Sequence, residues 1–140
     1  RRIMIRILVV THGQLAQGLK ESARMFFGDM VDDLNTIGLF PGDSPEALQE
    51  EIEQKIEEID EGDGVLIFVD IFAGSPFNAT AVTIDKMKTE HCLECFTGVN
   101  MPLLMEALSS SHTMEMKELR DHLEEVSGST IVNLKKALEI

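Results

Sequence analysis

Between Ile5 and Gly13 the chain reads Ile-Arg-Ile-Leu-Val-Val-Thr-His-Gly, an almost unbroken aliphatic run that stops at a histidine and a glycine. A strand with one wet face alternates apolar and polar side chains, whereas a strand buried on both faces does not. The run is therefore predicted to be a central strand of a parallel sheet with helices on both sides, which places the chain in the α/β class. In open sheets of this class, ligands gather at the carboxyl ends of the strands, where loops and helix N-termini converge over a rigid base. His12 falls at that edge, followed by a glycine that lets the backbone turn closely. His91, His112 and His122 sit at no predicted strand-to-helix junction, so His12 is the histidine that its position singles out.

The same pattern recurs. Gly64 to Asp70 is a second fully apolar strand, Val65-Leu66-Ile67-Phe68-Val69, and it also ends in a polar residue, Asp70. Shorter strands are expected at Leu34–Phe40 and Cys92–Thr97. Helical spacing marks Gln14–Phe27, a segment after Ser44 and Pro45 with Leu48, Ile52, Ile56 and Ile59 on one face, and Met114–Val126. Ser75 is expected to cap a helix with Pro76 in its first turn, and the free amides of such a start make a candidate phosphate cradle. Pro102 opens a further short helix. Thr130–Leu134 alternates weakly and is expected as a last strand on the sheet edge, free to pair with another subunit and so to build a homodimer.

Charge excludes one class of partner. With 25 acidic residues against 12 basic, the formal net charge is −13, which would repel nucleic acid and steer in a partner with a basic face. No apolar run approaches the ~20 residues needed to span a bilayer, and no signal-peptide pattern opens the chain, so the expected address is the cytoplasm. At 140 residues one domain, 1–140, is the expectation. Cys92 and Cys95 lack the second ligand pair of a zinc site, and on a strand they point to opposite faces, so they are read as ordinary reduced thiols, with no metal and no cofactor.

Three loops now meet at one sheet edge: Thr11-His12-Gly13, Asp70 through Gly74-Ser75-Pro76-Phe77-Asn78, and Gly98-Val99-Asn100-Met101-Pro102. Together they resemble the IIA component of the mannose-type branch (mannose, fructose, sorbose) of the bacterial sugar phosphotransferase system, in order and spacing over roughly the first 110 residues. The resemblance implies a doubly wound, mostly parallel sheet with helices on both faces and a C-terminal antiparallel edge strand open to exchange in a homodimer. It implies that His12 is the phosphorylated residue, that Asp70 orients its imidazole, and that Ser75 lies beside the phosphoryl group, with Gly74 and Thr11 lining the same pocket. Phosphate would arrive from the phosphocarrier protein HPr and leave to a IIB component, while a membrane permease binds the sugar. One departure is Ala73, where the family often has a second glycine before Gly74; alanine restricts the backbone if that position needs positive φ.

Other readings fit less well. A histidine phosphatase would need arginines to hold the phosphate, and none flanks His12. A flavodoxin-like nucleotide binder would need a glycine-rich phosphate loop, and no G-x-G-x-x-G or Walker-type pattern is present. The alternative that stays open is a regulatory phospho-receiver of the same family that does not feed sugar transport. The sequence has no DNA-binding segment, which favours the transport component.

Overall fold

The computed structural model describes residues 2–140. In chain order it runs β1 (Arg6–His12), α1 (Leu15–Phe27), a 3₁₀ segment (Gly28–Asp33), β2 (Leu34–Leu39), α2 (Pro45–Ile59), β3 (Val65–Val69), α3 (Ser75–Met87), β4 (Leu93–Phe96), α4 (Met101–Ser110), α5 (Met116–Ser127) and α6 (Leu134–Leu138). The strands form one sheet in the order β2-β1-β3-β4, every pairing parallel. From β1 the chain winds first to β2 on one side and then to β3 on the other, so the topological switch point lies between β1 and β3. The two apolar strands sit at the centre of a helix-covered parallel sheet as expected, and the doubly wound order is the one the resemblance implies.

Side-chain alternation divides the core into two layers. Ile7 and Val9 of β1 join Leu66 and Phe68 under α1, α4 and α5, while Leu8 and Val10 join Ile67 and Val69 under α2 and α3. Every residue of β3 is buried, and each full burial of a large aliphatic side chain contributes about 1.5–3 kcal/mol. The sequence runs are apolar throughout because neither face is left to water. Register then sets the site: Val10 pairs with Val69 and His12 with Leu39, so Asp70 lies one step beyond the β1–β3 ladder, level with Thr11.

Two helix starts follow sequence chemistry closely. Ser44 accepts a hydrogen bond from Ala47 N–H with Pro45 in the first turn, and Leu48, Ile52, Ile56 and Ile59 are the buried stripe of α2. Asn100 caps α4 by accepting from Leu103 N–H. At α3 the expectation shifts by one residue: Gly74 is the cap position, with φ +114°, and Ser75 is already helical and makes no capping hydrogen bond.

The C-terminal segment departs further. No strand forms at 130–134 among the described residues, and the sheet has no antiparallel edge. A strand needs a ladder partner, and here local capping decides instead: Asn133 accepts from Lys136 N–H and starts α6. Ile131, Val132, Leu134, Leu138 and Ile140 are left exposed.

Candidate active site

β1 delivers His12 to the sheet edge with its ring about half open, at 48% side-chain exposure. Beside it, the end of β3 presents Asp70, whose side chain is mostly buried. The Asp70 Oδ2 accepts twice, from the His12 backbone N–H at 3.0 Å and from the ring at Nδ1, 2.8 Å away. Oδ1 accepts from Ile71 N–H at 3.1 Å. Burial pushes this carboxyl up, but the hydrogen bonds from the His12 backbone and ring and from the adjoining main chain outweigh it and hold Asp70 below the usual carboxylate range.

An ionised carboxylate only accepts, so the ring proton sits on Nδ1. In the neutral imidazole that leaves the lone pair on Nε2, which no group among the described residues engages. The pair thus fixes both the tautomer and the direction of a nucleophilic nitrogen.

The loop after Asp70 approaches the ring by backbone. A Cβ on Gly74 would stand 3.5 Å from His12 Cε1 and 3.5 Å from Ile71 Cδ1, and φ +114° is strained for any L side chain. Ala73 does adopt positive φ, +65°, so an alanine at this position carries about 1–2 kcal/mol of backbone strain. Ser75 follows at the start of α3. Helix geometry leaves the Ser75 and Phe77 N–H groups without intrahelical partners, Pro76 has none to offer, and Asn78 N–H makes the first helical bond, to Gly74 O at 2.8 Å.

Thr11 is placed elsewhere. It is fully buried, and its hydroxyl accepts from Ala16 N–H at 2.9 Å, so it closes the start of α1 instead of facing the phosphate pocket as expected. Cys92 and Cys95 are free thiols. Burial pushes the Cys95 thiol up to about 12 and raises Cys92 as well, which makes both poor nucleophiles at neutral pH.

Two features of the edge were not read from the sequence. Ile71 and Phe72 are exposed, Phe72 at 76%, and the Phe72 ring packs on Phe77 with centroids 4.8 Å apart. Segments 13–19, 38–42, 71–78 and 97–102 contain no Asp, Glu, Lys or Arg, so the edge around His12 is nearly neutral in a chain of net charge −13. A phosphoryl group meets little repulsion there. An aromatic in a charge-free loop just past a strand tip was the available signal.

Against this geometry stand the comparisons. Residues 6–124 match the EIIA-man family, described as PTS system fructose IIA component. The chain belongs to this family. The PTS system fructose-specific EIIA component of Bacillus subtilis (strain 168) is 34% identical over 97% of this chain and 90% of its own length. The mannose-specific EIIAB component of Escherichia coli (strain K12) is 38% identical over 74% of this chain, which spans 31% of that longer protein. In fold, the crystal structure of phosphotransferase system component EIIA from Streptococcus agalactiae superposes with a TM-score of 0.86, at 23% identity over 95% of this chain and 99% of the other. EIIA membership of the mannose type makes this chain a phosphotransferase, a phosphoryl carrier of the sugar phosphotransferase system. No helix among the described residues is long and apolar enough to cross a membrane.

Proposed function

We propose that residues 1–140 act as one EIIA unit that accepts phosphate from phospho-HPr on Nε2 of His12 and passes it to a IIB component in the cytoplasm. The observation that carries this reading is the doubly accepting Asp70 Oδ2, which leaves a half-exposed ring with one free nitrogen at the β1–β3 switch point.

The transfer balances simply. The Nε2 lone pair attacks phosphorus as the N–P bond of the donor's phosphohistidine breaks, and the donor imidazole leaves with that electron pair. His12 becomes a phosphorylated imidazolium whose Nδ1–H stays on Asp70, and the carboxylate offsets the positive charge that develops on the ring. The unpaired amides at the start of α3 and the Ser75 hydroxyl supply donors for the phosphoryl oxygens, while Gly74 takes the positive-φ turn that brings the loop up to the ring. Such a site contributes mainly position and charge stabilisation, which is what phosphoryl transfer through a loose transition state requires. Asp70 is here a positioning residue, and Ser75 and Gly74 form the phosphate side.

The exposed apolar side chains of the C-terminal segment support a homodimer in which that segment is covered by a second copy. Incubation with phosphoenolpyruvate, enzyme I and HPr, followed by mass spectrometry, is expected to place one acid-labile phosphate on His12, and added IIB is expected to remove it. A chain that stays unmodified, or carries its phosphate on another residue, contradicts the carrier reading; phosphate that enters but never passes to IIB favours a receiver.

A further inference from the structure

The histidine–aspartate pair has a support that reaches well beyond β3. Gly98 N–H donates to Asp70 O at 3.1 Å and Val99 N–H donates to Val69 O at 3.2 Å. These carbonyls belong to the two peptide planes on either side of the Asp70 Cα, so the backbone just after β4 fixes the direction in which the Asp70 side chain leaves the sheet. Gly98 itself turns at φ +75°, and its carbonyl accepts from Asn100 Nδ2 at 3.2 Å.

Asn100 uses its whole amide. Oδ1 accepts from Leu103 N–H at 3.0 Å and caps α4. Nδ2 donates to Gly98 O and also to Thr130 Oγ1, 3.3 Å away, and that hydroxyl in turn donates to Ser127 O at 2.8 Å. A residue needed only as a helix cap is exchangeable with serine, since Asn, Asp and Ser cap about equally well. The two amide donors have no part in capping. They join the loop that grips Asp70 to the point where the exposed C-terminal segment begins.

We propose that Asn100 is a positioning residue for phosphotransfer: by closing the 98–100 turn and tying it to Thr130, it sets the aim of Asp70 and through it the tautomer of His12. The inference rests on the proposed role of the His12–Asp70 pair, and its readout works without phosphate.

The test compares the full chain with Asn100→Ser and Thr130→Val, using ¹⁵N NMR of the unphosphorylated His12 ring and the kinetics of phosphorylation by phospho-HPr. Asn100→Ser keeps the cap and is expected to keep the melting temperature. It is expected to shift the ring toward the Nε2–H tautomer and to lower kcat roughly tenfold with KM little changed. Thr130→Val removes one of the two donor bonds and is expected to move both readouts the same way by less. A wild-type tautomer and kcat in folded Asn100→Ser overturns the proposal. Should that variant fail to fold, Thr130→Val decides alone, and an unshifted ring there overturns it. If the wild-type chain takes up no phosphate, the carrier reading fails while the tautomer comparison still judges Asn100.

Discussion

Two histidines among the described residues lie against an aspartate, and one of them is arranged to react. His12 meets Asp70 at 2.8 Å with a ring that is half exposed and a second nitrogen that is free. His91 meets Asp60 at 2.6 Å, but its ring is 13% exposed and its Nε2 lies 3.3 Å from Glu57. Asp60 is also committed, its Oδ1 accepting from Gly62 and Gly64 N–H groups ahead of β3. The hydrogen bond to Asp60, opposed by burial and reinforced by Glu57, raises the His91 pKa. His91 thus clamps the end of α2 to the loop before β4, at the amino edge of the sheet, with both ring nitrogens against carboxylates. A neighbouring carboxylate does not make a nucleophile; the free second nitrogen and the carboxyl edge do.

The sharpest way to break this contrast is to exchange the roles by mutation. His12→Gln is expected to abolish phosphate uptake from phospho-HPr, while His91→Gln is expected to leave it within about twofold, because that ring touches no reacting atom. Asp70→Asn comes next. An amide donates to Nδ1 and forces the wrong tautomer, so the transfer rate is expected to fall on the order of 10³-fold with the melting temperature much less affected. Equal rates for Asp70→Asn and the wild type would remove Asp70 from the mechanism.

Phe72→Ala sharpens the contrast from the partner's side. Phe72 is exposed on the loop that joins Asp70 to α3 and belongs to neither core layer, so the substitution is expected to raise KM for phospho-HPr roughly tenfold without moving the melting temperature. An unchanged KM would mean that partners dock elsewhere on this edge.

A smaller effect separates the pairs by pH. The His91 pKa is raised on folding, so its stabilisation is fully present below the ordinary histidine value near ~6.5 and is lost as pH rises through the folded value. Asp60 and Asp70 are depressed, so theirs is present above about pH 4 and is lost as pH falls through their folded values. Melting curves are expected to lose stability from pH 6 toward pH 9 in the wild type, and His91→Gln is expected to flatten that slope. A slope that survives the substitution assigns it to another group.

Much of this was legible in the residues because burial writes itself into sequence. β1 and β3 read as strands since both faces are covered, and His12 and Asp70 stood out because each ends such a run. Ser44 and Pro45 marked the start of α2 by local capping chemistry alone. The rest depended on geometry that no local pattern encodes. Two successive positive φ values, at Ala73 and Gly74, moved the α3 cap from Ser75 to Gly74. Thr11 turned inward to serve Ala16, and His91 found Asp60 across 31 positions. Thr130–Leu134 has strand-like side chains but no ladder to join, so Asn133 capped a helix there.

The smallest predicted change falls on that loop. Ala73→Gly relieves positive-φ strain and gives back part of the gain as backbone entropy, for a net stabilisation of about 1 kcal/mol, or roughly 2–4 °C in melting temperature. A loss of stability instead would mean that the Ala73 methyl group supports the loop by contact.

The most direct test of the whole account is which ring nitrogen takes the phosphate. ¹⁵N and ³¹P NMR of the phosphorylated chain is expected to show an Nε2–P bond on His12, with Nδ1 still protonated toward Asp70. Phosphate on Nδ1, or on His91, would contradict the claim that Asp70 holds one nitrogen so that the other can react.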